Sequence, residues 1–166
     1  MIVAHYTILL VEDDANDVLL IERAFEKAHL ANPIKSVRDG QEAIAYLSGM
    51  PPYDDRLRYP LPALILLDLK LPRKSGFEVL NWLRQEEDLR RLPVVILTSS
   101  GQAADINRAY ELGANSYLVK PVSFEALTQL VQGLGVYWLI LNESPIISER
   151  AGHAKTVTAG GQGGPL

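Results

Sequence analysis

The sequence predicts an α/β protein built on a doubly wound, five-stranded parallel sheet of order 2-1-3-4-5 with helices on both faces. Two observations carry that expectation. Short apolar runs alternate with longer segments of helical period five times along the chain. The runs Ile8–Val11, Leu64–Leu67 and 94–97 are continuous Leu, Ile and Val, the pattern of strands buried under helices on both sides. Alternation of this kind calls for right-handed crossovers and parallel pairing.

The elements follow in order. After the first run, Asp14 precedes Asp17 by three positions, which resembles a helix-starting capping box. The helix it opens carries Val18, Ile21, Phe25 and Ala28 on one face. The second strand, around Ile34–Val37, is the least apolar and is expected at an edge. Asp39 and Glu42 repeat the start signal for a helix presenting Ala43, Ile44 and Leu47. Residues 48–62 hold five prolines or glycines among charges and tyrosines, so a long loop precedes the third strand. Ser75 and Glu78 form a proper capping box ahead of Leu80 and Leu83. The fourth and fifth runs, 94–97 and Ser116–Val119, close the sheet. The last helix uses Leu127, Leu130, Val131, Leu134 and Trp138. From about Asn142 the chain turns polar and then glycine-rich, so 5–142 is read as the folded domain and 143–166 as a disordered tail.

A chain of 166 residues fits one domain that needs no staples. Cysteine is absent, which removes disulfides and thiolate metal sites and fits a reducing compartment. A net charge of −4 argues against a nucleic-acid-binding face. Met1 leads directly into the first strand pattern without a secretory start. The longest apolar run, 136–141, is far below the roughly 20 residues of a membrane span. No membrane is expected, and the expected location is cytoplasmic.

Chemistry gathers at the strand ends. Glu12 and Asp13 follow the first strand, Asp68 the third, Thr98 the fourth and Lys120 the fifth. In a sheet of this order the crevice between the first and third strands is the ligand site. Carboxylates meeting there would raise one another's pKa unless a cation intervenes. Oxygen donors without His or Cys select a hard ion, and Mg²⁺ takes one or two carboxylates together with water and phosphate. Asp13 and Asp68 are expected to ligate directly, with the Lys70 backbone carbonyl, while Glu12 acts through bound water. Asp68 is the expected nucleophile, Lys120 a compact counter-charge and Thr98 a hydroxyl donor to a phosphoryl oxygen. Taken singly, each residue has a commoner role: a helix start for the acids, a turn for Thr98, a solvated charge for Lys120. Their joint placement at successive strand ends is what outweighs those roles.

With these motifs assembled, 5 to about 140 resembles the receiver domain of two-component response regulators. The resemblance rests on ILLVEDD from Ile8, LILLDLKLPRKSG from Leu64, VVILTS from Val94 and GANSYLVKP from Gly113. It implies a flavodoxin-like fold and a phosphoacceptor Asp68 served by a histidine kinase. It implies Mg²⁺ at Glu12 and Asp13, and sensing of the phosphoryl group by Thr98 and Lys120. Tyr117 matches the family's switch aromatic, and the α4-β5-α5 face would carry the output. The Lys120–Pro121 bond would be cis and turn the lysine toward the crevice. Lys70 and Ser100, two positions beyond Asp68 and Thr98, would tune dephosphorylation. A narrower similarity, in the loop 48–62, the segment 89–93 and the ending Tyr137-Trp138-Leu139, is to single-domain regulators paired with phytochrome-type histidine kinases.

Two other readings compete. A haloacid-dehalogenase-type phosphatase also uses an Asp nucleophile, but needs a second Asp where this chain has Lys70. A phosphorylation-independent adaptor would not need the intact Glu12, Asp13, Asp68, Thr98 and Lys120. His5, His29 and His153 carry no phosphotransfer signature. The last helix is apolar around its circumference: Leu134, Trp138 and Leu141 can face the core, leaving Tyr137 and Ile140 for a homodimer contact, with the fifth strand's edge as a second element.

Overall fold

The computed structural model describes residues 6–147. Five parallel strands, β1 (Ile8–Val11), β2 (Ile34–Val37), β3 (Leu64–Leu67), β4 (Val94–Thr98) and β5 (Ser116–Val119), form one sheet in the order β2-β1-β3-β4-β5. The helices between and after them are α1 (Ala15–Lys27), α2 (Gly40–Ser48), α3 (Gly76–Gln85), α4 (Ala103–Glu111) and α5 (Phe124–Leu134). Strand residues alternate between two cores, as a period of two requires. Ile8, Leu10, Leu64, Leu66, Val95 and Leu97 pack under α1 and α5. Leu9, Val11, Ile65, Leu67, Val94 and Ile96 pack under α2, α3 and α4. Register aligns Val11 with Leu67 on β3, so the residues that follow each strand emerge side by side.

The helix starts follow the sequence chemistry with informative departures. Ser75 and Glu78 form a full capping box. Asp14 caps α1 by accepting from the Asn16 and Asp17 N–H groups, but Asp17 does not reciprocate. The Asp14 N–H donates to Glu12 instead, which leaves the Asp17 carboxylate free for another partner. Asp39 caps α2, while Glu42 accepts from the Arg38 N–H and from the Tyr53 hydroxyl. That second bond ties the long loop to the domain. Tyr46, Tyr53 and Tyr59 pack edge-on or tilted with centroids 5.1–5.9 Å apart. Arg56 donates to the Tyr46, Leu47 and Tyr59 carbonyls and stitches the loop to the end of α2.

Beyond α5 the helix continues as a π-helical segment, Gly135–Leu141, in which the Asn142 N–H donates to the Tyr137 carbonyl. A Cβ at Gly135 would lie 2.4 Å from Leu30 Cδ1, so glycine lets this junction sit against the end of α1. The wider π turn changes the helical phase. Leu141, expected on the core side with Leu134 and Trp138, is instead 67% exposed. Phe124–Leu141 as one helix is long and apolar enough to cross a membrane by length and composition, more than the apolar run 136–141 indicates. Leu127, Val131 and Leu134 nonetheless belong to the core under α1 and the sheet. Residues 143–147 lack regular structure, yet Ile147 is fully buried among the α2–α4 core residues. Packing thus runs past the boundary at 142; the rest of the tail, with His5 and His153, lies outside the described residues.

Candidate functional site

Every strand in the centre of the sheet delivers a functional group to the same edge. Glu12 follows β1 and is buried, Asp13 beside it is exposed, and Asp68 follows β3 and is buried. Thr98 is the last residue of β4 and is buried. Lys120 follows β5, and its N–H donates to the Thr98 carbonyl at 2.7 Å, extending the β4–β5 ladder by one residue. That extension aims the lysine. Among the described residues the cis peptide bond is Pro51–Pro52, not Lys120–Pro121. The expected cis bond is therefore corrected: ladder geometry and the four-carbon stem bring the ammonium into the crevice without it.

The ammonium is the hub of the site. Lys120 Nζ donates to Glu12 Oε2, to Asp68 Oδ2 at 3.0 Å and to Asp17 Oδ2 at 3.0 Å. Asp68 Oδ1 accepts the Leu69 N–H at 2.7 Å, which fixes the carboxylate plane. Close approach here requires Gly76, because a Cβ on it would lie 2.1 Å from the Asp68 carbonyl oxygen. The lack of a side chain there lets the start of α3 pack against the Asp68 backbone.

The charges are sharply differentiated. Burial, reinforced by the Asp68 charge, pushes Glu12 up to about 7 even though Lys120 and the Asp14 N–H pull the other way. Burial would also raise Asp68, but Thr98, Lys120 and Glu12 outweigh it and hold its carboxyl below the ordinary range. Lys120 loses hydration, yet Glu12 and Asp68 drive its pKa above that of a free lysine. At neutral pH Asp68 is therefore ionised, Lys120 is charged, and Glu12 is the carboxyl that keeps a share of a proton.

Ligand oxygens of Glu12, Asp13 and Asp68 all lie within 4.8 Å of one another. This all-oxygen donor set, without His or Cys, fits a hard divalent cation. Lys70, whose carbonyl is the further expected ligand, is exposed in the loop after β3. Tyr117 lies half-buried on β5 opposite Ile96, and its hydroxyl donates to the Ser100 carbonyl at 2.7 Å. Burial raises its pKa. Ser100 in turn bonds Asp105 at the start of α4, so Tyr117, the β4–α4 loop and α4 are linked.

Asp17 is the residue that sequence reasoning missed. Its spacing from Asp14 reads as a cap partner. The available signal was that a first-turn acid on the helix after β1 stands over the same crevice.

A phosphoacceptor-type carboxylate flanked by two acids, a threonine and a lysine at successive strand ends is the plan of a receiver domain. The response regulator receiver domain family matches residues 8–132, and the chain belongs to that family. Among characterised relatives, the probable methanogenesis regulatory protein FilR2 of Methanothrix harundinacea is 44% identical over 84% of this chain and 88% of its own. Response regulator Rcp1 of Synechocystis sp. is 41% identical over 80% of this chain and 88% of its own. The Mn²⁺-bound crystal structure of Rcp1 superposes with a TM-score of 0.77 at 39% identity, covering 85% of this chain and 99% of that one. The phosphorylated cyanobacterial phytochrome response regulator RcpA gives a TM-score of 0.80 at 39% identity, over 86% of this chain and all of that one. The chain is thus similar to the regulators that work with phytochromes, and receiver domains are signalling proteins that pair with histidine kinases.

Proposed function

We propose that this protein is a single-domain switch that accepts a phosphoryl group on Asp68 from the phosphohistidine of a histidine kinase. The observation that carries the reading is that Asp68 contacts Lys120 while sharing one crevice with Glu12 and Asp13. In the transfer, an Asp68 carboxylate oxygen forms the new bond to phosphorus as the nitrogen–phosphorus bond breaks. The imidazole leaves with the bonding pair and takes up a proton. Asp68 suits the role because its carboxyl is held ionised. Asp13, Asp68 and the Lys70 carbonyl, with Glu12 through a bound water, would hold Mg²⁺, which would supply positive charge to offset the phosphoryl oxygens.

Thr98 and Lys120 then read the product. Thr98 donates its hydroxyl to one phosphoryl oxygen and Lys120 its ammonium to another. Withdrawal of Thr98 toward the phosphate gives Tyr117 room to pack inward, and its bond to the Ser100 carbonyl is the link that must rearrange. The α4-β5-α5 face changes accordingly and alters partner binding. A full switch from 1:99 to 99:1 requires about 5.5 kcal/mol of preference. Lys70 and Ser100 flank the site and set how fast the phosphoryl group is lost. The similarity to Rcp1 and RcpA supports a phytochrome-type photoreceptor kinase as donor and a cytoplasmic location.

The same reading includes a homodimer. Tyr137 and Ile140 are 58% and 68% exposed on the π-helical end of the last helix, with Val136 and Leu141 beside them. Such a patch is costly to leave in water. Light scattering should show a dimer that a Tyr137→Asp, Ile140→Asp variant converts to monomer. An unchanged dimer mass rejects this contact.

For the switch itself, incubation with acetyl phosphate and Mg²⁺ should add one phosphate by intact mass, and Asp68→Asn should abolish the addition. A variant that still gains phosphate, or multiple turnover of phosphate esters by the native chain, would overturn the assignment.

A further inference from the structure

The Lys120 ammonium has three hydrogens and three carboxylate acceptors, and one acceptor is not accounted for by the phosphoryl site. Glu12 and Asp68 belong with Asp13 to the candidate cation cluster, which does not include Asp17. Asp17 comes from another element, the first turn of α1, and makes no reciprocal cap with Asp14. Its bond to Lys120 is as short as the one from Asp68. The Asp17 side chain is 35% exposed against 10% for Asp68, so it meets Lys120 from the solvent side of the crevice.

We propose that Asp17 is a positioning residue that competes with the phosphoryl group for Lys120, holding the ammonium in its unphosphorylated place. The proposal rests on the reading of Asp68 as phosphoacceptor. Two effects act in the same direction. To reach a phosphoryl oxygen, Lys120 must give up or share its present acceptors, and the bond to Asp17 opposes that move. The Asp17 charge also repels an incoming phosphoryl anion at the mouth of the crevice. For a cation the sign reverses, because the same charge attracts Mg²⁺. Asp17 therefore favours the metal and disfavours the phosphoryl group. Loss of a residue that only supported the fold would weaken binding of both together.

The test uses the full chain and beryllofluoride, a phosphoryl mimic, at saturating Mg²⁺. Asp17→Asn keeps the size and an oxygen acceptor while removing the charge. It should bind beryllofluoride about fivefold more tightly, the factor expected for loss of one partly exposed ion pair. Mg²⁺ alone should bind with equal or lower affinity, and Asp17→Glu should restore native values for both. Thermal unfolding of each variant checks that the fold is intact. Beryllofluoride affinity that is unchanged or reduced in a folded Asp17→Asn protein overturns the proposal. If native protein binds no beryllofluoride and Asp68→Asn behaves the same, the phosphoacceptor reading fails instead. The two failures are therefore distinct.

Discussion

Protons and Mg²⁺ must compete for the crevice, and Glu12 sets the size of that competition. Burial and the Asp68 charge raise its carboxyl to about 7, against 4.5 for the free side chain. A divalent ion drawing on that carboxyl has to displace the proton it holds. The apparent dissociation constant is then multiplied by 1 + 10^(pKa − pH), which is about 1.1 at pH 8 and about 11 at pH 6. Affinity for Mg²⁺ should fall about tenfold on going from pH 8 to pH 6. An unperturbed glutamate would give a factor near 1 at both pH values. The perturbation is simply the pH change, and Glu12→Gln is the control. Titration calorimetry in two buffers of different ionisation enthalpy measures both the affinity and the protons released. The native protein should release close to one proton at pH 6, and Glu12→Gln should bind more weakly with no slope between pH 6 and 8. A flat native profile, or a slope that survives in Glu12→Gln, would show that this carboxyl is not the one holding the proton.

The same shift affects stability, with a sign fixed by linkage. Between the unfolded value of 4.5 and the folded value of about 7 the native state binds more protons through Glu12, so metal-free stability should decline as pH rises across that window. The contribution is at most about 3 kcal/mol, and Mg²⁺ should remove it. Urea unfolding at pH 5 and pH 8, with and without Mg²⁺, checks the sign. Lys120→Met leaves Glu12, Asp17 and Asp68 facing one another without their cation. It should destabilise the metal-free protein by about 3 kcal/mol at pH 8, with recovery in Mg²⁺; loss of stability that Mg²⁺ does not restore would point to packing instead. Gly76→Ala places a methyl against the Asp68 carbonyl and should cost about 2 kcal/mol or more together with phosphorylation rate, measured by urea midpoint and phosphate uptake. Ile147→Ala opens a cavity in the α2–α4 core and should cost about 2 kcal/mol, whereas a loss below about 0.5 kcal/mol would mean that the segment does not pack there in solution.

Much of this architecture was legible in the residues because central parallel strands are buried on both faces. β1, β3 and β4 could be read as unbroken apolar runs, and the sheet order then fixed which ends meet. Ser75 and Glu78 were legible for a different reason, since a capping box is a local contact between residues three apart. The misreadings occur where one residue serves two masters. Asp17 has the spacing of a cap partner, but Glu12 takes the Asp14 N–H and frees Asp17 for a lysine 103 positions away. Leu141 follows the α-helical face of Leu134, but i→i+5 bonding from Gly135 onward rotates it into solvent. Ile147 follows Ile146 in an otherwise polar stretch, and nothing local tells that Ile147 closes a core while Ile146 stays exposed. Lys120 needed no cis proline, because a ladder bond to Thr98 already directs it. Apart from the π turn that rotates Leu141, these depend on contacts between segments remote in sequence, which periodicity and spacing do not encode.

On the proposed reading one carboxylate, Asp68 at the end of β3, receives phosphorus. Reduction of the acetyl-phosphate-treated protein with borohydride converts an acyl phosphate to the alcohol, marking the modified residue permanently for peptide mass mapping. Homoserine is expected at position 68 and nowhere else, and only when Mg²⁺ was present. Reduction at position 12, 13 or 17, or an unmodified position 68, would contradict it.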